Sequence, residues 1–110
     1  MFKDLVFYLE IFHEGTSLED SFKNKIEEYG GKISKRLGNQ VTHLIWGEGR
    51  LKTLQKAIQY ENIMIVSTLW LLDCEKEMKR LDEQSYKPAK LEAKLREARG
   101  ATIQTITRQL

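Results

Sequence analysis

One cysteine and one proline occur in 110 residues, and no apolar run approaches the ~20 residues that a membrane-spanning helix needs. A single cysteine excludes an intramolecular disulfide and suits a reducing compartment. The N-terminus lacks the charged-then-apolar layout of a signal peptide, so cytosol or nucleus is the expected location and no membrane partner is expected. His13, His43 and Cys74 stand alone, without the paired spacing of a metal site, and neither a metal nor any other cofactor is expected. Charge of one sign is also lacking overall, with 18 Lys/Arg against 16 Asp/Glu, a net of +2. The balance hides a split. Residues 1–86 hold 12 Lys/Arg and 14 Asp/Glu, a net of −2, and residues 87–110 hold 6 and 2, a net of +4. An acidic body with a basic tail is not the footprint of a groove-reading DNA-binding fold, whose basic stripe belongs to the body.

What is present argues for one packed domain. Apolar residues make up 41% and charged residues 31%, outside the disordered range, and the length suits a single core. Leu5 to Ile11 is nearly all apolar, the pattern of a strand covered on both faces. Thr16-Ser-Leu-Glu19 reads as a capping box, and Leu18, Phe22, Ile26 and Tyr29 then line one face of a helix. Gly30-Gly31 stops it. Lys32 to Ser34 fits only an edge strand, and Val41 to Trp46 is the next strong strand. Leu51, Leu54 and Ile58 mark a short helix, and Ile63 to Val66 another buried strand. Ser67 is placed to cap a helix carrying Trp70, Leu71, Cys74 and Met78. The order predicts an α/β sandwich on a mostly parallel four-stranded sheet. After Pro88, residues 89–99 are strong helix formers with a narrow stripe of Leu91, Leu95 and Ala98, and 101–110 is expected to fray.

Catalytic signatures are missing. There is no P-loop, and Gly47-Glu-Gly49 is a turn, because Lys52 stands where a dinucleotide fingerprint needs its third glycine. A phosphoacceptor site would need acids at two strand ends, and the strand after Glu10 and Ile11 ends in Trp46. Nothing near Cys74 activates its thiol. The chain is therefore not expected to be an enzyme.

Gly30-Gly31 after the first helix, Thr42-His43-Leu44 in a strand, and Trp70 four residues before Cys74 together resemble the BRCT repeat, over residues 2 to about 86. The resemblance implies an α/β fold, a single BRCT domain at 1–86 with a four-stranded parallel sheet in the order 2-1-3-4 flanked by helices. Residues 87–110 are then a basic C-terminal extension, helical to about residue 99. Gly30, Gly31, Thr42, His43, Trp70 and Cys74 become structural markers, Trp70 in the core and the glycines in the tight turn. Modules of this kind sit in longer chains, so the sequence is expected to be a piece of one.

The resemblance also implies a non-catalytic protein-interaction module of the DNA-damage or chromosome-cycle machinery. Its expected location is nuclear, with the centrosome as a second one, and a monomer is the expected state. Many BRCT repeats hold a phosphoserine or phosphothreonine through a hydroxyl, a backbone amide and a lysine. Here Gly15 precedes the hydroxyls of Thr16 and Ser17, and Gln55 stands in the Thr53-Leu-Gln stretch where the family has lysine. A phosphate pocket would draw on Thr16, Ser17, Thr53, Gln55 and Lys56. The alternative is that Thr16 only caps a helix. A further alternative is DNA binding by Lys87, Lys90, Lys94, Arg96 and Arg99, against a plain solvated helix interleaved with Glu92 and Glu97. Trp46, beside a glycine turn, is either an exposed anchor for a protein partner or a cover for the end of the core.

Overall fold

The computed structural model describes residues 1–93. Its central strand is β1 (Val6–His13), two residues longer at its end than the apolar run, because the strand continues into a hairpin. Glu14 and Gly15 both have positive φ, 50° and 79°, which is the two-residue turn that matches strand twist. The chain folds back as β2 (Thr16–Ser17), antiparallel to Phe12 and His13. The expected capping box is therefore not formed: Thr16 and Ser17 belong to a strand. Leu18 precedes α1 (Glu19–Glu28) without a side-chain cap, and Ser17 Oγ accepts from the Glu19 amide at 3.3 Å.

Gly30, at φ 93°, turns the chain out of α1 into β3 (Lys32–Ile33), which runs parallel to the start of β1. β4 (His43–Gly47) pairs in parallel with the other side of β1, and β5 (Met64–Val66) pairs in parallel with β4. The parallel strands thus lie in the order β3-β1-β4-β5, the 2-1-3-4 that the resemblance implies. The short link from β3 to β4 is not a hairpin, because β1 lies between them. The sheet is mixed rather than wholly parallel, since β2 adds an antiparallel pair.

Alternation along the strands divides the interior into two layers. Phe7, Leu9 and Ile11 of β1, Ile45 of β4 and Val66 of β5 meet Ile26 of α1 and Trp70, Leu71 and Cys74 of α3 (Thr68–Glu77). The second layer joins Leu44 and Trp46 of β4 and Ile65 to Leu54 and Ala57 of α2 (Leu51–Ile58). Trp70 is fully buried, stacks on Phe2 and His43, and donates its indole N–H to the Leu81 carbonyl at 3.0 Å. Met78, expected on the buried face of α3, instead ends the helix in a left-handed conformation and is exposed. Ser67 gives α3 no side-chain cap; its amide donates to the Tyr86 carbonyl at 2.7 Å.

A 3-10 turn (Glu83–Tyr86) follows, then helix again at 89–93. Leu91 is buried in the second layer, so the start of the 87–110 segment packs on the domain. Leu95, Ala98 and the 101–110 stretch lie outside the described residues.

Candidate functional site

The two faces of the sheet are covered unequally. α1 and α3, of ten residues each, cover one face, while on the other α2, of eight residues, and the helical segment at 89–93 sit over β4 and β5. The β1 part of that face is left open around Tyr8. The link from β3 to β4 forms the opposite wall, and Ser34 and Gln40 give it shape. Ser34 Oγ accepts from the Arg36 amide and from Gln40 Nε2, and Gln40 Nε2 also donates to the Arg36 carbonyl. A concavity of about 400 Å³ results, lined by Tyr8, by Lys35, Arg36 and Leu37 of the link, and by Arg50, Lys52, Thr53 and Lys56. Among the described residues, Lys35, Arg36, Lys52 and Lys56 have no ion-pair partner.

At one end of this concavity lies a buried carboxylate. Glu10 projects from β1 toward the N-terminus of α2 and is 1% exposed. Its Oε2 accepts from the Arg50 amide at 2.9 Å, from Arg50 Nε at 3.0 Å and from the Thr53 hydroxyl at 2.7 Å, and its Oε1 accepts from Arg50 Nη2 at 3.0 Å. Gly49 allows this approach, since a Cβ there would collide with Glu10 Cγ and lie 3.0 Å from both the Glu10 carbonyl oxygen and Trp46 Nε1. Burial alone would raise the Glu10 pKa. The hydrogen bonds from Arg50 and Thr53 and the guanidinium charge outweigh it, so the carboxyl is held below its ordinary range. A backbone amide at a helix N-terminus, a hydroxyl and a guanidinium are the donors that would hold a phosphate. Here an internal carboxylate takes all of them.

The residues expected to form a phosphate pocket are thereby separated. Thr53 and Lys56 line the concavity, with the Thr53 hydroxyl committed to Glu10. Gln55 is exposed on α2 and does not line it, and Thr16 and Ser17 sit exposed on β2, past Phe12. Trp46 is not an exposed anchor. It is 4% exposed, covers the end of the second layer and donates its indole N–H to the Arg50 carbonyl at 3.1 Å. Lys87 and Lys90 are exposed; Lys94, Arg96 and Arg99 lie outside the described residues. Glu10, Arg50, Tyr8, Lys35 and Arg36 were not singled out as site residues in the sequence, whereas Lys52, beside Lys56, is one of the two lysines that could stand in for the family lysine replaced by Gln55. The available signal was a lone glutamate at the end of an apolar strand, Leu9-Glu10-Ile11.

The remaining polar markers serve the fold. The Thr42 hydroxyl lies 2.9 Å from the Val6 amide and 3.0 Å from the Val6 carbonyl oxygen, tying the start of β4 to β1. His43 is fully buried, with Nδ1 2.9 Å from Thr42 Oγ1 and Nε2 2.7 Å from Glu83 Oε2. A carboxylate only accepts, so Nε2 carries the proton toward Glu83. Burial pulls the His43 pKa down against the pull of Glu83, so the ring is neutral near pH 7. Cys74 is buried, its Sγ accepts from the Leu81 amide at 3.3 Å, and burial pushes its thiol pKa up, away from nucleophilic character. Among the described residues no group of three His, Cys, Asp or Glu side chains is placed to hold a metal.

A central, mostly parallel sheet with helices on both faces and a buried Trp-His stack defines a BRCT-type α/β domain. Its fold matches solved BRCT structures. The C-terminal BRCT domain of human XRCC1 aligns at TM-score 0.64 and 18% identity, over 78% of this chain and 90% of that one. Rad4 BRCT1,2 in complex with a Crb2 phosphopeptide aligns at TM-score 0.64 and 23% identity, over 78% of this chain and 46% of that one. The model of the twin BRCT domain family matches residues 5–70, and the chain belongs to that family. It is similar to microcephalin of Pan troglodytes, with 35% identity over 89 residues, 79% of this chain and 10% of that protein. The chain thus spans about a tenth of the length of the curated relatives it matches. BRCT domains are generally non-catalytic modules of protein and phosphopeptide interaction.

Proposed function

We propose that this domain is a non-catalytic scaffold module of a nuclear, microcephalin-like protein, corresponding to its N-terminal BRCT repeat, and that it binds another protein in chromosome or DNA-damage processes. Family membership over residues 5–70 carries this reading. The groups best suited to catalysis, His43, Glu83 and Cys74, are buried or paired in fold-holding contacts. Affinity capture from nuclear extract, with and without phosphatase, tests the binding. A hydrolase or transferase activity of the purified domain that Cys74→Ala abolishes would overturn the non-catalytic assignment.

Phosphopeptide recognition is a second reading. It is supported by Arg50, Lys52 and Lys56 lining one concavity and by the phosphopeptide bound to the similar Rad4 module. Against it stands Glu10, which holds the amide and hydroxyl that a phosphate would need. Calorimetry against paired phosphorylated and unphosphorylated peptide pools decides it: equal affinity for both pools rejects the reading.

A further inference from the structure

We propose that the concavity between α2 and the β3–β4 link binds an acidic stretch of a protein partner through its carboxylate side chains, without a phosphate. This rests on the reading of the domain as a protein-interaction module and adds the chemistry of the partner. Lys35 and Arg36 on one wall face Lys52 and Lys56 on the other, across Tyr8, with Arg50 at the end. The body carries a net charge of −2 over residues 1–86, with 14 acidic side chains to neutralise its cations, yet among the described residues these four lie in no ion pair. Like charges gathered around a concave surface repel one another, and an anionic ligand relieves that repulsion.

The form of the anion follows from what is already filled. A single phosphate is held by donors that converge on one point, and the convergent set here, the Arg50 amide and guanidinium with the Thr53 hydroxyl, surrounds Glu10. What remains is a spread of separate cations on flexible stems, which matches carboxylates spaced along a peptide. The extent of the anion is limited as well. An adjoining concavity of about 370 Å³ shares Tyr8, Lys35 and Arg50 and adds Lys23, but it also carries Glu19 and Asp20 beside the Arg50-paired Glu10. Glu19 is held above the ordinary carboxylate range, first by burial and then by the charges of Glu10 and Asp20. A nucleic-acid strand following the basic walls would run onto these carboxylates. A peptide whose acidic block ends at Arg50 and continues with a lysine or arginine would not.

The test is fluorescence anisotropy on the 110-residue chain with a short glutamate-rich peptide. Parallel arms use the same peptide with every glutamate replaced by glutamine, a phosphoserine peptide without carboxylates, and a single-stranded oligonucleotide. The glutamate peptide is expected to bind, to weaken with added salt, and to outcompete the other three. The pairs Lys52→Glu/Lys56→Glu and Lys35→Glu/Arg36→Glu should each weaken it on the order of tenfold. Lys76→Glu on α3 should leave it unchanged, and thermal melts of all variants check that they fold. Tighter binding of the phosphoserine peptide or the oligonucleotide, or unchanged affinity in both charge-reversed pairs, overturns the proposal. A natural partner captured equally by wild type and Lys52→Glu/Lys56→Glu would overturn this groove while leaving the protein-interaction reading intact.

Discussion

Glu10 is the residue on which the α2 end of the molecule turns. Removing its carboxylate strands the Arg50 amide and the Thr53 hydroxyl beside a buried cavity. Glu10→Ala should therefore destabilise the fold by about 2–3 kcal/mol, as for other buried polar partners left unmet. Urea denaturation measures this, and a change within ±0.5 kcal/mol would show that water replaces the carboxylate freely. The same variant empties an anion cradle, so it should bind inorganic phosphate more tightly than the wild type does. At the other end of β1, the two marker glycines act by different physics. A Cβ on Gly31 would meet Ile26 Cγ2 at 2.7 Å and Phe7 Cε2 at 2.8 Å, so Gly31→Ala should lose about 1–3 kcal/mol through overpacking. A Cβ on Gly30 has room, with its nearest neighbour at 3.5 Å, but φ of +93° strains it, at about 1 kcal/mol. Chemical denaturation of the two variants should rank them in that order.

At the scale of elements, the short α2 and the β3–β4 link wall the basic concavity, and the hairpin after β1 lies outside it. Two residues of positive φ convert what would be a helix cap into β2, and Thr16 and Ser17 on it do not line the concavity that Thr53 and Lys56 share. The helical segment at 89–93 belongs to the same layer as α2, because Leu91 packs with Leu54, Ala57 and Ile63. Leu91→Ala should cost about 2 kcal/mol, the lower end of buried leucine truncations, since the site lies near the surface. A thermal melt decides: an unchanged midpoint would mean that the segment adds no stability to the second layer.

For the whole molecule, acid should act on His43 and then on Glu10 and Glu83 with the same sign, offset in part by Glu19, whose raised carboxyl works the other way. The His43 pKa is pulled below its ordinary value of about 6.5, so below that pH the unfolded chain takes up a proton that the folded one refuses, and stability falls. The carboxyls of Glu10 and Glu83 are held below their ordinary range by their partners, so the stability they add is present above that range and is lost as pH falls through it. Denaturation midpoints measured from about pH 7 to about pH 4 should decline continuously, and Glu10→Gln should flatten the more acidic part alone. A flat profile over that span would contradict the placement of all three groups. The groove has the same origin at this scale: α2 and the 89–93 helix lie over β4 and β5 and leave β1 open at Tyr8, with lysines and arginines as the rim.

The sequence by itself determined the family and most of the core, and the strand order only through the family that it resembles. Gly30-Gly31, Thr42-His43 and Trp70 with Cys74 are local or regularly spaced, and the burial of an apolar strand or helix face is written in its period. It also held the split in charge at the end of the recognised repeat. Tertiary structure alone decided where the polar groups meet. Glu10 and Arg50 are 40 residues apart, and Lys35 and Lys56 reach one concavity only because β1 lies between β3 and β4. Trp46 shows the limit in the other direction: a glycine turn after a strand leaves both exposure and burial open, and the packing of α2 settles it by covering the ring. Periodicity reports which face a side chain takes. Which distant charges share that face depends on the order of the strands, and that is a property of the folded chain.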